Sequence, residues 1–270
     1  MAAGYSIHLG VNYVDVNHYH GTFQLPFCAN DAAAMAILAE DRGFVVAGVF
    51  INQEATSRRL LSFLEALACE LQNGDMLLVT FSGHGTSVKD RDGDEKDGRD
   101  EAWVLFDRQL VDDELGRAWA AFKKGVRIVV VADCCHAGTS IKDPGTAFPG
   151  ATPFLLPQIE KDPTDMLPKN EQELLQLPAG DIKAEVLLLA ACGDKQLARS
   201  GSKTGSELSL FTDELLTVYH KKTFDKTYQG LVNAINRQIP ANYFQKPLVC
   251  SINPGILLKQ YPFTISLHHH

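Results

Sequence analysis

The chain reads Met76-Leu77-Leu78-Val79-Thr80-Phe81, followed at once by Ser82-Gly83-His84-Gly85, and this stretch decides the fold. Its first six residues favour β structure. Turn-forming residues flank them, Asn73-Gly74-Asp75 before the run and glycines after it, which is typical of a short buried strand. The sequence therefore predicts a strand whose carboxyl end delivers a histidine.

A second apolar run follows the same plan from Val126 to Ala132. It comes after a Lys-Lys-Gly helix stop and is nearly all β-branched, which suits a parallel strand covered on both faces. Cys135 comes just after this strand, as His84 comes just after the first. Because ligands bind at the carboxyl ends of parallel strands, we expect both side chains at one edge of the sheet.

The cysteine and the histidine together indicate nucleophilic catalysis. A thiol attacks a carbonyl as thiolate, and its ordinary pKa of about 8.5 leaves little thiolate at neutral pH. An adjacent imidazole at His84 takes up the thiol proton and later protonates the leaving amine. Gly85, with Gly83, offers backbone N–H groups as oxyanion donors. The competing interpretation is a buried Cys135 that only packs and a histidine that is only hydrogen-bonded.

Several motifs in the same order resemble those of the metacaspases, a family of caspase-like cysteine peptidases. The matching segments are Tyr5–Val11, Cys28-Ala29-Asn30-Asp31, Ser82-Gly83-His84-Gly85, Asp92-Gly93-Asp94-Glu95, Asp97–Glu101, Asp112–Leu115 and Asp133-Cys134-Cys135-His136-Ala137-Gly138. The resemblance implies a caspase-like α/β fold, with a largely parallel central sheet flanked by helices on both faces. It also implies a His84/Cys135 dyad with Cys134 as a bystander. Ala137 departs from the serine that the family often has there.

Two aspartates suggest what the enzyme cleaves. A basic side chain that enters an apolar crevice needs buried carboxylates, and Asp133, two residues before the nucleophile, is placed to offer one, with Asp31 as the second. By resemblance, Cys28 and Ser82 complete the substrate-binding pocket, which implies cleavage after Arg or Lys. The alternative is that Asp133 caps a loop and Asp31 caps a helix.

An acidic stretch from Asp90 to Glu101 suggests a hard cation. It is not an EF-hand loop, because Glu95 stands where that motif requires glycine. The resemblance instead implies a low-affinity Ca²⁺ site formed by Asp100, Asp112 and Asp113, with Asp143 near the place of a fourth ligand. The alternative is a solvated acidic loop. We expect no organic cofactor.

The rest of the chain alternates helices with strands, as one α/β domain should. We expect a single peptidase domain over 1–267, with a part resembling a large subunit at 1–141, a Pro-rich linker at 142–184 and a part resembling a small subunit at 185–267. Residues 268–270 are the remnant of a tag. Because the linker holds seven of the twelve prolines and no long periodic segment, we expect self-cleavage there, at Lys161 or Lys169.

Composition narrows the partners and the compartment. The chain has 270 residues, 45% of them apolar, and a net charge of −8 without a basic cluster, so we expect no nucleic acid partner. Six cysteines without metal spacing do not indicate a disulfide framework. The sequence shows neither a signal peptide nor a membrane span, which predicts a cytoplasmic protein. We expect a monomer that acts on peptides and proteins.

Two other functions compete with the peptidase interpretation. One is a caspase-fold protein that binds partners with little or no proteolytic activity, although both His84 and Cys135 are present. The other is a zinc site made by His84, Cys134, Cys135 and His136. Three adjacent residues of a loop converge poorly on one tetrahedral ion, which argues against zinc.

Overall fold

The structure is a computed structural model. It describes residues 2–21, 23–89, 98–135, 181–193, 196, 198–203, 205–220 and 226–266. The linker positions Lys161 and Lys169 lie outside these residues. The division of the chain at 141 and 184 therefore stays a prediction.

The described residues form nine strands and six α-helices. The strands are β1 Gly4–Gly10, β2 Val45–Ile51, β3 Met76–Ser82, β4 Gly85–Lys89, β5 Arg99–Val104, β6 Gln109–Val111, β7 Arg127–Asp133, β8 Glu185–Ala190 and β9 Leu248–Ile252. The helices are α1 Val16–Tyr19, α2 Cys28–Asp41, α3 Ser57–Glu70, α4 Asp112–Ala120, α5 Leu210–Tyr219 and α6 Tyr228–Gln238.

Six of the strands form the central sheet, in the order β2-β1-β3-β7-β8-β9. All neighbours run parallel except β8 and β9, which are antiparallel. The two apolar runs at 76–81 and 126–132 become β3 and β7, the central pair of the sheet, and every residue of both strands is buried. The predicted α/β fold with a largely parallel sheet is confirmed.

The core lies on both faces of this sheet because side chains alternate along each strand. Leu77, Val79 and Phe81 of β3 face one apolar layer, which also contains residues of α3 and α4. Met76 and Leu78 face a second layer, which contains residues of α2, α5 and α6. Central strands covered on both faces read as continuous apolar runs, as these two do.

A second sheet of three antiparallel strands, β4-β5-β6, was not predicted. The acidic stretch 90–101 was interpreted as a loop up to Glu101, but β5 begins at Arg99 and pairs Asp100 with Val88. The physical reason is an apolar anchor beyond the acidic residues: Trp103 of β5 stacks on Phe81 of β3, with ring centroids 4.7 Å apart. This contact joins the small sheet to the central one.

The six cysteines all lie in the described part of the chain, and none forms a disulfide. Within the described ranges, the structure contains no helix that is both long and apolar enough to cross a bilayer.

Candidate active site

The ends of β3 and β7 bring His84 and Cys135 to the same edge of the sheet. Ser82 and Asp133 are register partners on these strands, and each dyad candidate lies two residues beyond that pair. The Gly83 N–H donates to the Asp133 carbonyl oxygen at 3.3 Å. The two following segments also touch, because a Cβ added at Gly85 would lie 1.7 Å from the Cys135 carbonyl oxygen. The predicted juxtaposition at one edge is therefore present.

The ring of His84 is held by a backbone carbonyl. Its Nε2 lies 2.9 Å from the Phe23 carbonyl oxygen. A carbonyl oxygen only accepts, so Nε2 carries the proton and Nδ1 is left with the lone pair of the neutral ring. Burial lowers the pKa of His84, with the Phe23 hydrogen bond opposing it, and the side chain is 8% exposed. His84 is therefore a neutral imidazole at pH 7, with a lone pair at Nδ1 that can take up a proton.

The adjacent cysteines Cys134 and Cys135 have opposite surroundings. Cys134 is 1% exposed, and burial raises its pKa well above the ordinary value. Cys135 is half-buried, and its pKa is lowered by the neighbouring Cys192 thiol, which can donate to the thiolate form, and, against the effect of burial, by the Ala198 N–H. That N–H lies 3.3 Å from the Cys135 sulfur. Of the two thiols, Cys135 has the environment of a reactive one.

The four predicted pocket residues, Cys28, Asp31, Ser82 and Asp133, are all buried next to the dyad. The Ser82 hydroxyl donates to Asp31 Oδ2 at 2.6 Å. Burial raises the pKa of the Cys28 thiol to about 12, and the neighbouring Ser82 hydroxyl opposes this rise. Burial and the nearby charge of Asp31 raise the pKa of Asp133 to about 8. The four side chains thus form one polar cluster.

Helix α5 supports the two carboxylates. The Ser209 N–H donates to Asp31 Oδ1 at 2.8 Å, and the Thr212 N–H and hydroxyl donate to Asp133 Oδ2 at 3.1 and 2.8 Å. Ser209 is the N-cap residue of α5, so both aspartates accept from its first turn, where the helix dipole favours negative charge. Within the described ranges, neither Asp31 nor Asp133 takes part in an ion pair.

The alternative role of Asp31 as the start or cap of its own helix is wrong. Helix α2 begins at Cys28, and Asp31 is its fourth residue, with its N–H donated to the Phe27 carbonyl oxygen at 2.9 Å. The carboxylate instead points across to α5. Sequence distance hides this contact, because Asp31 and Ser209 are separated by 178 positions.

The three described calcium candidates are buried and lie on neighbouring elements. Asp100 belongs to β5, while Asp112 and Asp113 open α4. Glu114 in the same turn accepts two hydrogen bonds from Arg108, each 2.8 Å long, which fixes the start of α4. Within the described ranges, no three His, Cys, Asp or Glu side chains are grouped so that they could hold a metal ion. Asp143 lies outside those ranges.

Sequence reasoning missed several residues of this site, namely Phe23, Cys192, Ala198, Ser209 and Thr212. Phe23 and Ala198 act through backbone atoms, for which the sequence carries no signal. Ser209 is the N-cap of α5 and Thr212 lies in its first turn, so a helix-cap pattern was the available signal. Cys192 follows the strand β8 as Cys135 follows β7, and that parallel was visible in the sequence.

Comparison with known proteins finds one matching family model and several proteins of similar sequence. The model of the peptidase C14 family, the caspase domain, matches residues 13–262. Metacaspase-1 of Ajellomyces capsulatus is 25% identical, over 88% of this chain and 78% of that protein. Metacaspase-1 of Emericella nidulans is 24% identical, over 89% and 69%.

Two solved structures resemble this chain over nearly its whole length. A protein from Geobacter sulfurreducens is 32% identical with a TM-score of 0.78, over 97% of this chain and 98% of that one. Caspase-1 from Spodoptera frugiperda is 14% identical with a TM-score of 0.56, over 100% and 92%, which shows a common fold alone.

Proposed function

We propose, from the premise that this chain belongs to the caspase-domain family of cysteine peptidases, that it is an endopeptidase which cleaves after Arg or Lys. In this proposal Cys135 is the nucleophile and His84 the general acid and base. Calcium stimulates the enzyme, and it cuts its own chain between 142 and 184.

The mechanism follows from the state of the two side chains. Neutral His84 accepts the Cys135 proton at Nδ1, while its Nε2–H stays bonded to the Phe23 carbonyl. The thiolate attacks the scissile carbonyl carbon, and the Gly85 N–H stabilises the negative charge that develops on the oxygen. The imidazolium then protonates the leaving amine, and its lowered pKa favours this release. Water finally hydrolyses the thioester.

The observation that carries the specificity is the pair of buried carboxylates, Asp31 and Asp133, beside the nucleophile. They are 1% and 5% exposed, and the described residues supply no cation to them. Burial of a carboxylate without a cation is costly, and here it raises the pKa of both groups. A guanidinium or ammonium group of the substrate would supply the missing charge and bring both carboxylates into their ionised form.

The proposal of calcium stimulation is based on the type of oxygen ligands present, because the described residues do not form a complete calcium site. Calcium takes six to eight oxygen ligands, among them carboxylates, backbone carbonyls and water. Asp100, Asp112 and Asp113 are three such carboxylates, and their placement at the starts of β5 and α4 would let an ion join these two elements. Self-cleavage rests on Lys161 and Lys169, which match the proposed specificity and stand in a Pro-rich polar stretch.

A screen of fluorogenic peptides tests the whole proposal. Peptides that differ only in the residue before the cut, Arg, Lys, Asp or Leu, are assayed with and without calcium. Hydrolysis after Arg or Lys by the wild type and by Cys134→Ala, and none by Cys135→Ala or His84→Ala, supports the proposal. Cleavage after Asp but not after Arg or Lys would overturn the pocket assignment. No hydrolysis of any peptide would favour the binding-protein alternative.

A further inference from the structure

A second thiol lies behind the proposed nucleophile. Cys192 is the second residue after β8, and Cys134 is one residue beyond the end of β7. These strands pair Ala132 with Ala190, so the same register continued brings Cys192 opposite Cys134 and one residue short of Cys135. The Cys192 side chain is 0% exposed. A buried thiol thus lies at the active edge of the sheet without a role in the mechanism described above.

The Cys192 proton has weak partners in the resting site. The sulfur lies 3.5 Å from the Cys134 carbonyl oxygen and 3.4 Å from the Gln196 carbonyl oxygen. A thiol has a single proton and is a weak donor, so it serves one of these neutral carbonyls at a time. A thiolate at Cys135 would be a stronger acceptor, since hydrogen bonds to an ionised partner are roughly twice as strong as neutral ones.

We propose that Cys192 is a positioning residue for the nucleophile: its thiol turns from the backbone carbonyls and donates a hydrogen bond to the Cys135 sulfur when that sulfur is ionised. The Ala198 N–H, 3.3 Å from the same sulfur, is the second donor. The Cys135 proton goes to His84 Nδ1, and Cys192 keeps its own proton throughout. The inference rests on the proposed role of Cys135.

The titration of the two thiols supports this arrangement. A hydrogen bond from Cys192 is the largest cause that lowers the pKa of Cys135. The pKa of Cys192 is raised well above its ordinary value by the same hydrogen bond and by burial, so this thiol remains a donor when Cys135 ionises. Thiolate stabilisation by a neutral donor adds no charge beside the acidic pocket.

Other titratable groups also surround the Cys135 sulfur, and the test must separate them from Cys192. His84 lies just after β3. Asp133 is the last residue of β7, and Cys134 lies between it and Cys135. The charge of Asp31, in α2, raises the pKa of Asp133. All of these groups remain when Cys192 is substituted. A difference in the Cys135 pKa between Cys192→Ala and Cys192→Ser therefore reports the proposed donor alone.

The experiment measures Cys135 alkylation by iodoacetamide from pH 5 to pH 10, quantified by mass spectrometry of the peptide that contains Cys135. No substrate is present. The wild type is compared with Cys192→Ala, which removes the donor, and Cys192→Ser, which restores one. Cys250→Ala, on the neighbouring strand β9, controls for the loss of a thiol. If Cys192→Ala does not fold, Cys192→Val takes its place.

The midpoint is the pH at which the rate of Cys135 alkylation reaches half its plateau. We expect this midpoint to rise by about one pH unit in Cys192→Ala, which means a tenfold loss of Cys135 thiolate at any pH below the midpoint. Cys192→Ser and Cys250→Ala should keep the wild-type midpoint, and all variants should reach one plateau rate at high pH. Equal midpoints in wild type and Cys192→Ala would overturn the inference, as would a lower plateau in Cys192→Ala, since that indicates a structural defect. The peptide screen separates the two proposals: an inactive wild type whose midpoint still shifts contradicts only the proposed peptidase.

Discussion

Gly85 and Cys135 touch through their backbones, with so little room that a Cβ at Gly85 would lie 1.7 Å from the Cys135 carbonyl oxygen. The contact joins the segment that carries His84 to the segment that carries the nucleophile. It depends on the absence of a side chain at one position. A single methyl group therefore tests whether the spacing of the two segments matters for activity.

Gly85→Ala should lower kcat/KM by roughly a hundredfold or more, because an ångström-scale displacement of reacting groups costs about that much. The matched control is Gly193→Ala, where the same methyl group would meet, among the described residues, only Leu248, at an ordinary 3.5 Å. Steady-state assays with an Arg peptide check the prediction. Equal kcat/KM values for both variants would contradict it.

The pH dependence of specificity should report the pocket carboxylates. Asp133, with its pKa raised to about 8 and its charge linked to that of Asp31, is neutral in much of the free enzyme at pH 7. The ratio of kcat/KM for an Arg peptide to that for its citrulline analogue should therefore rise between pH 6 and 9 as the pair ionises. The ratio cancels the titration of Cys135.

Asp133→Asn should flatten this ratio and lower it at every pH, because one carboxylate is lost from the pocket. The isosteric amide can still accept from Thr212, so the fold of α5 is kept. A ratio in the variant that rises as in the wild type would contradict the assignment of Asp133 to the pocket.

The same carboxyl predicts how stability changes with pH. The folded pKa of Asp133, about 8, lies above the ordinary 3.8, so the unfolded chain releases this proton near pH 4 while the folded chain keeps it. The contribution of the Asp133 carboxyl to the free energy of unfolding is fully present below about pH 4 and is lost as the pH rises towards 8. The loss has a slope of at most about 1.4 kcal/mol per pH unit.

Urea unfolding at pH 5 and pH 8 checks this. From pH 5 to pH 8, the free energy of unfolding of Asp133→Asn should increase relative to that of the wild type. The exposed Asp41→Asn should follow the wild type at both. An unchanged difference between Asp133→Asn and wild type would contradict the raised pKa.

The fold could be predicted from the sequence because its central strands are continuous apolar runs, and β3 and β7 lie within one residue of the predicted bounds. The positions of His84 and Cys135 followed from the rule that parallel strands end at a common edge. The support of the pocket by α5 could not be predicted, because Asp133 and Thr212 meet only after the chain has folded. The β4-β5-β6 sheet was missed because its strands are short and the first residues of β5 are charged, although Trp103, Val104 and Leu110 bury apolar side chains in the core.

The calcium site can be tested without an activity assay. In a Cys135→Ala background, which prevents self-cleavage, calorimetric titration should show calcium binding that is lost in Asp112→Ala with Asp113→Ala. The physical reason is the loss of two of the hard oxygen donors that calcium requires. Glu40→Ala with Asp41→Ala removes the same charge from an exposed helix end and should leave binding unchanged.

In the active background the same double variant at 112 and 113 should lose any calcium stimulation and keep its calcium-free rate. Equal heats of binding in both double variants would refute the site. Thermal unfolding of each variant controls for damage to α4, whose first turn contains both aspartates.

Self-cleavage should occur after Lys161 or Lys169. Both match the proposed pocket, and neither is followed directly by proline, which would hinder binding at the cut bond. Calcium-treated wild type should yield fragments whose intact masses end at one of these lysines, and Cys135→Ala should yield none. Lys161→Gln with Lys169→Gln should remain whole and still hydrolyse an Arg peptide, because the parts of the chain before and after the linker are joined by the β7–β8 ladder of the central sheet without a cut. Equal fragmentation of wild type and Cys135→Ala would indicate a contaminating protease. Fragments that end elsewhere would contradict the assignment of the two lysines.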